Sequence, residues 1–98
     1  MVHRVLTVAP ADRVSVVATL AGGKNRSLIF TRTRRSAHRL ARQLTAAHVP
    51  AVELHGDLGQ NARERSLASF ASGATRVMVA TDIAARGIHV DGIDLVIH

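Results

Sequence analysis

The chain has 98 residues, 47% of them apolar and 20% charged, with a formal net charge of +6 and no cysteine. These values suit one small globular domain spanning 1–98, argue against a disordered chain, and exclude disulfides and thiolate metal sites. No apolar run nears the ~20 residues of a membrane span, and Arg4, Asp12 and Arg13 break any leader-like pattern, so a cytoplasmic protein with no membrane partner is expected.

Residues 3–8, HRVLTV, have the β-branched and apolar content of a short strand. Pro10-Ala11-Asp12 then opens a helix, Val14, Val17, Ala18 and Ala21 form its packing face, and Gly22-Gly23 ends it. Ser27 to Thr31 is a continuous apolar run suited to the middle of a sheet. Thr33 is placed to cap the next helix, whose buried stripe is Ala37, Leu40, Ala41 and Leu44, and Pro50 closes the segment. Ala51 to Leu54 is a third strand. The helix beginning near Gln60 has Gly59 as its cap, Leu67, Phe70 and Ala71 facing inward, and Gly73 as its stop. Arg76 to Ala80 is the fourth strand and Asp94 to His98 the fifth.

Strands alternating with helices at this length specify an α/β fold, a three-layer parallel sheet with helices on both faces. In such a sheet the C-terminal ends of all strands share one edge. The polar stretches 31–35, 55–63 and 81–87 each follow a strand, so they converge there. They supply the hydroxyls of Thr33 and Thr81, several guanidinium groups, the small Gly56 and the free amides of helix starts, which are phosphate-binding parts. Arg34 and Arg35 fall in a helix first turn, where positive charge opposes the helix dipole and a bound anion relieves the conflict. Gln60 and Arg63 share one face near the next helix start.

Lys24 is the only lysine, so the positive charge is almost all arginine. Arginine grips phosphate bidentately, which points to a polyanion, although compositional bias toward arginine yields the same count. The only aromatics are two phenylalanines, so base stacking has little to work with and a nucleic acid is expected to be held by its backbone. Other chemistries are poorly served. No two histidines have the spacing of a helical metal pair, no serine sits in a nucleophile elbow, and no Walker A loop is present, so no metal site and no complete catalytic set is expected. Asp57 and Asp82 stand as an acid pair, or Asp82 as an ion-pair partner of a nearby arginine.

Beyond these readings the residues resemble a known family. SLIFTRT (27–33) resembles motif IV, HGDLGQNAR (55–63) the HGD-x-x-QxxR element, and ATDIAARGIHV (80–90) motif V of the second RecA-like domain of DEAD-box ATP-dependent RNA helicases; DLVIH matches the strand that follows. The resemblance implies RNA-backbone contacts from Thr33, Arg34, Arg35, Gly56, Gln60, Arg63 and Thr81. It implies an ATP-cleft role for Asp82, Arg86, Gly87 and His89. His89 stands where the family usually has the aspartate that reaches the ribose, and Gly59 replaces a serine or threonine.

By the same resemblance, the chain is expected to be part of a helicase C-terminal domain, ending before motif VI and inactive alone. ATP and Mg2+ would act in the intact parent, with the N-terminal RecA-like domain of the same protein and RNA as partners. Self-association through unpaired sheet edges is a further expectation. A stand-alone RNA-binding or protein-docking module, or a domain of a related DNA helicase, are the alternatives.

Overall fold

The computed structural model describes residues 4–6, 14–16, 19, 26–56, 58–85, 93 and 95–97. In chain order they form β1 (Arg4–Leu6), β2 (Ser27–Thr31), α1 (Arg34–Ala46), β3 (Ala51–Leu54), α2 (Gln60–Ala71), β4 (Val77–Thr81), α3 (Asp82–Ala85) and β5 (Leu95–Ile97). The described strands make one sheet in the order β1-β5-β2-β4-β3, and every pairing is parallel. The helix expected between Pro10 and Gly23 lies largely outside the described residues; 14–16 and Thr19 within it are helical.

Strand position follows apolar content. All five residues of β4 are buried, as are four of the five in β2, because helices cover both faces of the sheet centre. β3 takes an outer edge, where only Leu54 is buried and Glu53 is tolerated. Successive residues of β4 point to opposite faces and seed two cores. Val77 and Val79 join Ile29, Ile97 and the α1 stripe of Ala37, Leu40, Ala41 and Leu44; Met78 and Ala80 join Leu28, Leu54, Phe70 and Ala84 on the α2 face. The three-layer arrangement is thus built from alternate side chains of single strands.

Helix α1 begins as the sequence implies. Thr33 is extended, and its hydroxyl accepts from the Ser36 amide at 3.0 Å, a cap of the kind worth about 1 kcal/mol. Its end is less expected. His48 sits at φ 66°, its amide donates to the Thr45 carbonyl, and the Val49 amide donates to the Leu44 carbonyl at 2.8 Å. This is a Schellman turn with histidine in the position glycine usually takes. Val49 packs against the same core as Leu44, which holds the turn closed. His48→Gly relieves the left-handed strain and loses some of that gain to unfolded-chain entropy. A net rise in unfolding free energy of about 0.5–1 kcal/mol is expected from chemical denaturation.

One boundary and one burial differ from expectation. β4 runs one residue later than Arg76–Ala80, because Thr81 pairs in register with Thr31 and extends the ladder. Ala71 is exposed rather than inward-facing, while Leu67 packs only partly and Phe70 alone in α2 is buried. One residue beyond Phe70 is a turn of about 100° around the helix, which carries Ala71 off the sheet. Gly73 at φ 84° follows the Ser72 cap and provides the expected stop.

Candidate nucleic-acid interface

The C-terminal ends of β2, β3 and β4 open onto one cleft of about 570 Å³, lined by Arg32, Thr33, Arg34, Gly56, Arg63, Thr81, Ile83 and Ala84. Five residues singled out from sequence, Thr33, Arg34, Gly56, Arg63 and Thr81, therefore meet on one rim. Their chain separation is bridged because β2 and β4 are parallel neighbours with Thr31 opposite Thr81, and β3 lies beside β4.

Three of these side chains, Thr81, Arg63 and Thr33, are held by local contacts. Thr81 is buried and accepts from the Ala84 amide through Oγ1 at 3.3 Å, capping the single turn of α3. The Thr81 hydroxyl proton is left to donate. Arg63 Nη2 donates to the Ala84 carbonyl at 3.2 Å and so ties α2 to α3 across the cleft floor. Thr33 donates to Ser36 Oγ while accepting from its amide. An added Cβ at Gly56 would meet Arg34 Cδ at 3.5 Å, an ordinary contact, so the folded chain does not itself demand glycine there.

Among the described residues, the lining carries three guanidinium groups and no acidic residue. Helices α1 and α2 both start at this edge without an acid in the first turn, so their positive dipole ends add to the field instead of being neutralised locally. The set offers many N–H and O–H donors to an anion and, among the lining residues, no carboxylate for a divalent metal. Phosphate oxygens fit these donors.

Arg35 and Gln60 are exposed and lie outside the lining; Gln60 donates to Glu64 at 3.1 Å along α2. Asp82 is exposed at the start of α3, and no ion pair to it occurs among the described residues. Asp57, Arg86, Gly87 and His89 lie outside the described residues. Arg32 and the 82% exposed Ile83 join the cleft without having been singled out. Arg32 falls in a bend between strand and cap, where periodicity carries no information about direction.

A second cluster is also tertiary in origin. Glu53 Oε1 accepts from His38 Nδ1 and from His55 Nε2, each at 2.8 Å. Burial pushes the Glu53 carboxyl up, but the hydrogen bonds from His55 and His38 and the charges of their rings outweigh it and hold the group below its ordinary value of 4.5. A depressed folded value contributes stability that is present above the unfolded value and is lost as pH falls through the folded one. In metal-free buffer, Glu53→Gln is expected to flatten the fall of the thermal midpoint between about pH 6 and pH 3 relative to the parent chain.

Comparison with known proteins bears on the family and the fold. The model of the family described as helicase conserved C-terminal domain matches residues 12–98. DEAD-box ATP-dependent RNA helicase 53 of Oryza sativa is 47% identical over 77 residues, covering 79% of this chain and 12% of the rice protein. ATP-dependent RNA helicase RhlB of Pseudomonas aeruginosa is 38% identical over 98 residues, covering 98% of this chain and 25% of that protein. Among solved structures, S. cerevisiae Dbp5 bound to RNA and ADP BeF3 aligns with a TM-score of 0.79 at 28% identity, over 97% of this chain and 25% of that one. The chain thus spans about an eighth of the rice helicase's length and a quarter of the Pseudomonas one.

Proposed function

Because the chain belongs to the family of helicase conserved C-terminal domains and its relatives are DEAD-box RNA helicases, we propose that it acts as the second RecA-like half of an ATP-dependent RNA helicase. Its part is to hold the RNA sugar-phosphate backbone and to form one wall of an interdomain ATP cleft. The observation that carries the reading is the convergence of Thr33, Arg34, Gly56, Arg63 and Thr81 on one cleft that bears no acid among its described residues.

In this reading Arg32, Arg34 and Arg63 pair successive phosphates, the helix starts add their amides, and Thr81 donates its hydroxyl. Gly56 matters because a ligand backbone has to pass close to it, since the fold alone would accept a Cβ. Arg35 and Gln60 contact RNA from outside the cleft lining. Asp82, Arg86, Gly87 and His89 face the nucleotide, with His89 altering the ribose contact. Bound ATP supplies the phosphoryl group whose transfer drives opening and closing of two domains. That chemistry needs a phosphate cradle, magnesium ligands and charge-stabilising groups together, so the chain is proposed to be inactive without the N-terminal RecA-like domain of the same parent.

Titration with a short single-stranded RNA at two salt concentrations tests the backbone reading. Affinity is expected to fall steeply as salt rises, because counterion release accompanies each phosphate contact. Equal affinity at both concentrations rejects it. A DNA helicase is the second reading, favoured by the alignment with Mycobacterium smegmatis helicase Lhr bound to ssDNA and AMP-PNP at a TM-score of 0.81 and 25% identity. The same titration with DNA of equal sequence separates the two, since the 2′-hydroxyl is what distinguishes them.

A further inference from the structure

The His38–Glu53–His55 cluster lies on the α1 face of the sheet edge and is independent of the cleft reading. His38 comes from the middle of α1, Glu53 from β3, and His55 from the residue after that strand. Their ligand atoms all lie within 4.8 Å of one another. We propose that these three side chains form a binding site for a divalent transition-metal ion of the zinc or nickel type.

The donor chemistry sets the class of ion. Two imidazoles and one carboxylate suit Zn2+, Ni2+ or Co2+ and suit Mg2+ and Ca2+ poorly, since those ions take oxygen ligands. The three ligand atoms are near enough for side-chain rotation to gather them around one ion. Legs of about 2.0–2.1 Å place tetrahedral ligand atoms roughly 3.3 Å apart, against the 2.8 Å from Glu53 Oε1 to each ring nitrogen. Each Oε1–nitrogen contact has to open by about half an ångström, and the two imidazole ligand atoms, within 4.8 Å of one another, have to close toward the same separation. The freedom for that is on His38, whose side chain is 54% exposed, while the His55 side chain at 6% fixes the other end. The exposure of His38 also leaves a coordination position to water. On binding, each imidazole turns a lone pair to the ion by carrying its proton on the other ring nitrogen, and the carboxylate keeps its charge.

The site joins two segments that also border the cleft. An ion held there clamps the His55–Gly56 turn to α1, the helix whose first turn bears Arg34. Binding to the folded chain alone raises its melting temperature by mass action.

The experiment is titration of the chelator-stripped chain with Zn2+, followed by calorimetry, with Co2+ absorption as the coordination readout. One equivalent is expected to bind, with a higher melting temperature and no comparable effect from Mg2+. His38→Ala is expected to weaken Zn2+ binding by at least about tenfold, the lower end of what removing even an outer-shell partner does. Glu53→Gln, which keeps the side-chain shape, is expected to do the same. His48→Gly, which also removes one histidine, is expected to bind as the parent does. Circular dichroism checks that each variant is folded. Unchanged affinity in folded His38→Ala or Glu53→Gln, an equal loss in His48→Gly, or the absence of saturable binding by the parent overturns the proposal.

Discussion

Arg34→Ala combined with Arg63→Ala is expected to weaken single-stranded RNA binding by at least about tenfold near physiological salt, since one charge-assisted hydrogen bond is already worth ~1.5 kcal/mol or more. The slope of log affinity against log salt is expected to flatten by roughly 1.4, the counterion release of two phosphate contacts on a single strand. Charge loss alone weakens any polyanion complex, so the control removes the same charge elsewhere. Arg39 and Arg42 are exposed on α1 and absent from the cleft lining. Arg39→Ala with Arg42→Ala is expected to cost markedly less affinity. Equal losses from the two pairs would show a diffuse basic surface instead of a built cleft. Because Arg63 also holds the Ala84 carbonyl, thermal melts of both double variants are needed to separate lost contacts from a loosened α3.

The second large effect concerns the core beneath the cleft. Phe70 is fully buried among Leu28, Leu54, Met78, Ala80 and Ala84, the only buried residue of α2. The Arg26 guanidinium lies 4.8 Å from its ring centroid and donates to its carbonyl oxygen. Phe70→Ala removes the ring's buried area, its cation–π partner and most of the packing that fixes α2, at an expected cost of about 3–5 kcal/mol in urea denaturation. Against a total of about 5–15 kcal/mol for a domain, that leaves little margin. Arg63 rides on α2, so partly folded Phe70→Ala is also expected to lose RNA affinity. A cost below about 1 kcal/mol would mean that α2 is not anchored through this residue.

The difference between these two cases marks what local patterning conveys. Phe70 was legible as an inward residue from its place in α2, and so was the α1 stripe of Ala37, Leu40, Ala41 and Leu44, because helical spacing and hydrophobic content act over a few residues. Ala71 was not: at the end of a short helix with one buried side chain, the rotation of the helix against the sheet decides which neighbour is covered. His48 was equally hidden. Glycine is the usual sign of a left-handed helix end, and here the turn is held by backbone hydrogen bonds and by Val49 packing on the core.

By itself the sequence determined a parallel α/β sheet, the strand ends at which polar residues gather, and the family those motifs resemble. Strand runs and caps follow from short-range sterics, and the common edge follows from parallel connection alone. Only the tertiary structure decided which polar residues meet. It brought Arg32 and Ile83 into the cleft, left Arg35 and Gln60 outside its lining, and set Glu53 between His38 and His55. Those outcomes depend on how a helix is turned and how far it sits along the sheet, which packing of the two cores settles across distant segments and no short stretch of residues encodes.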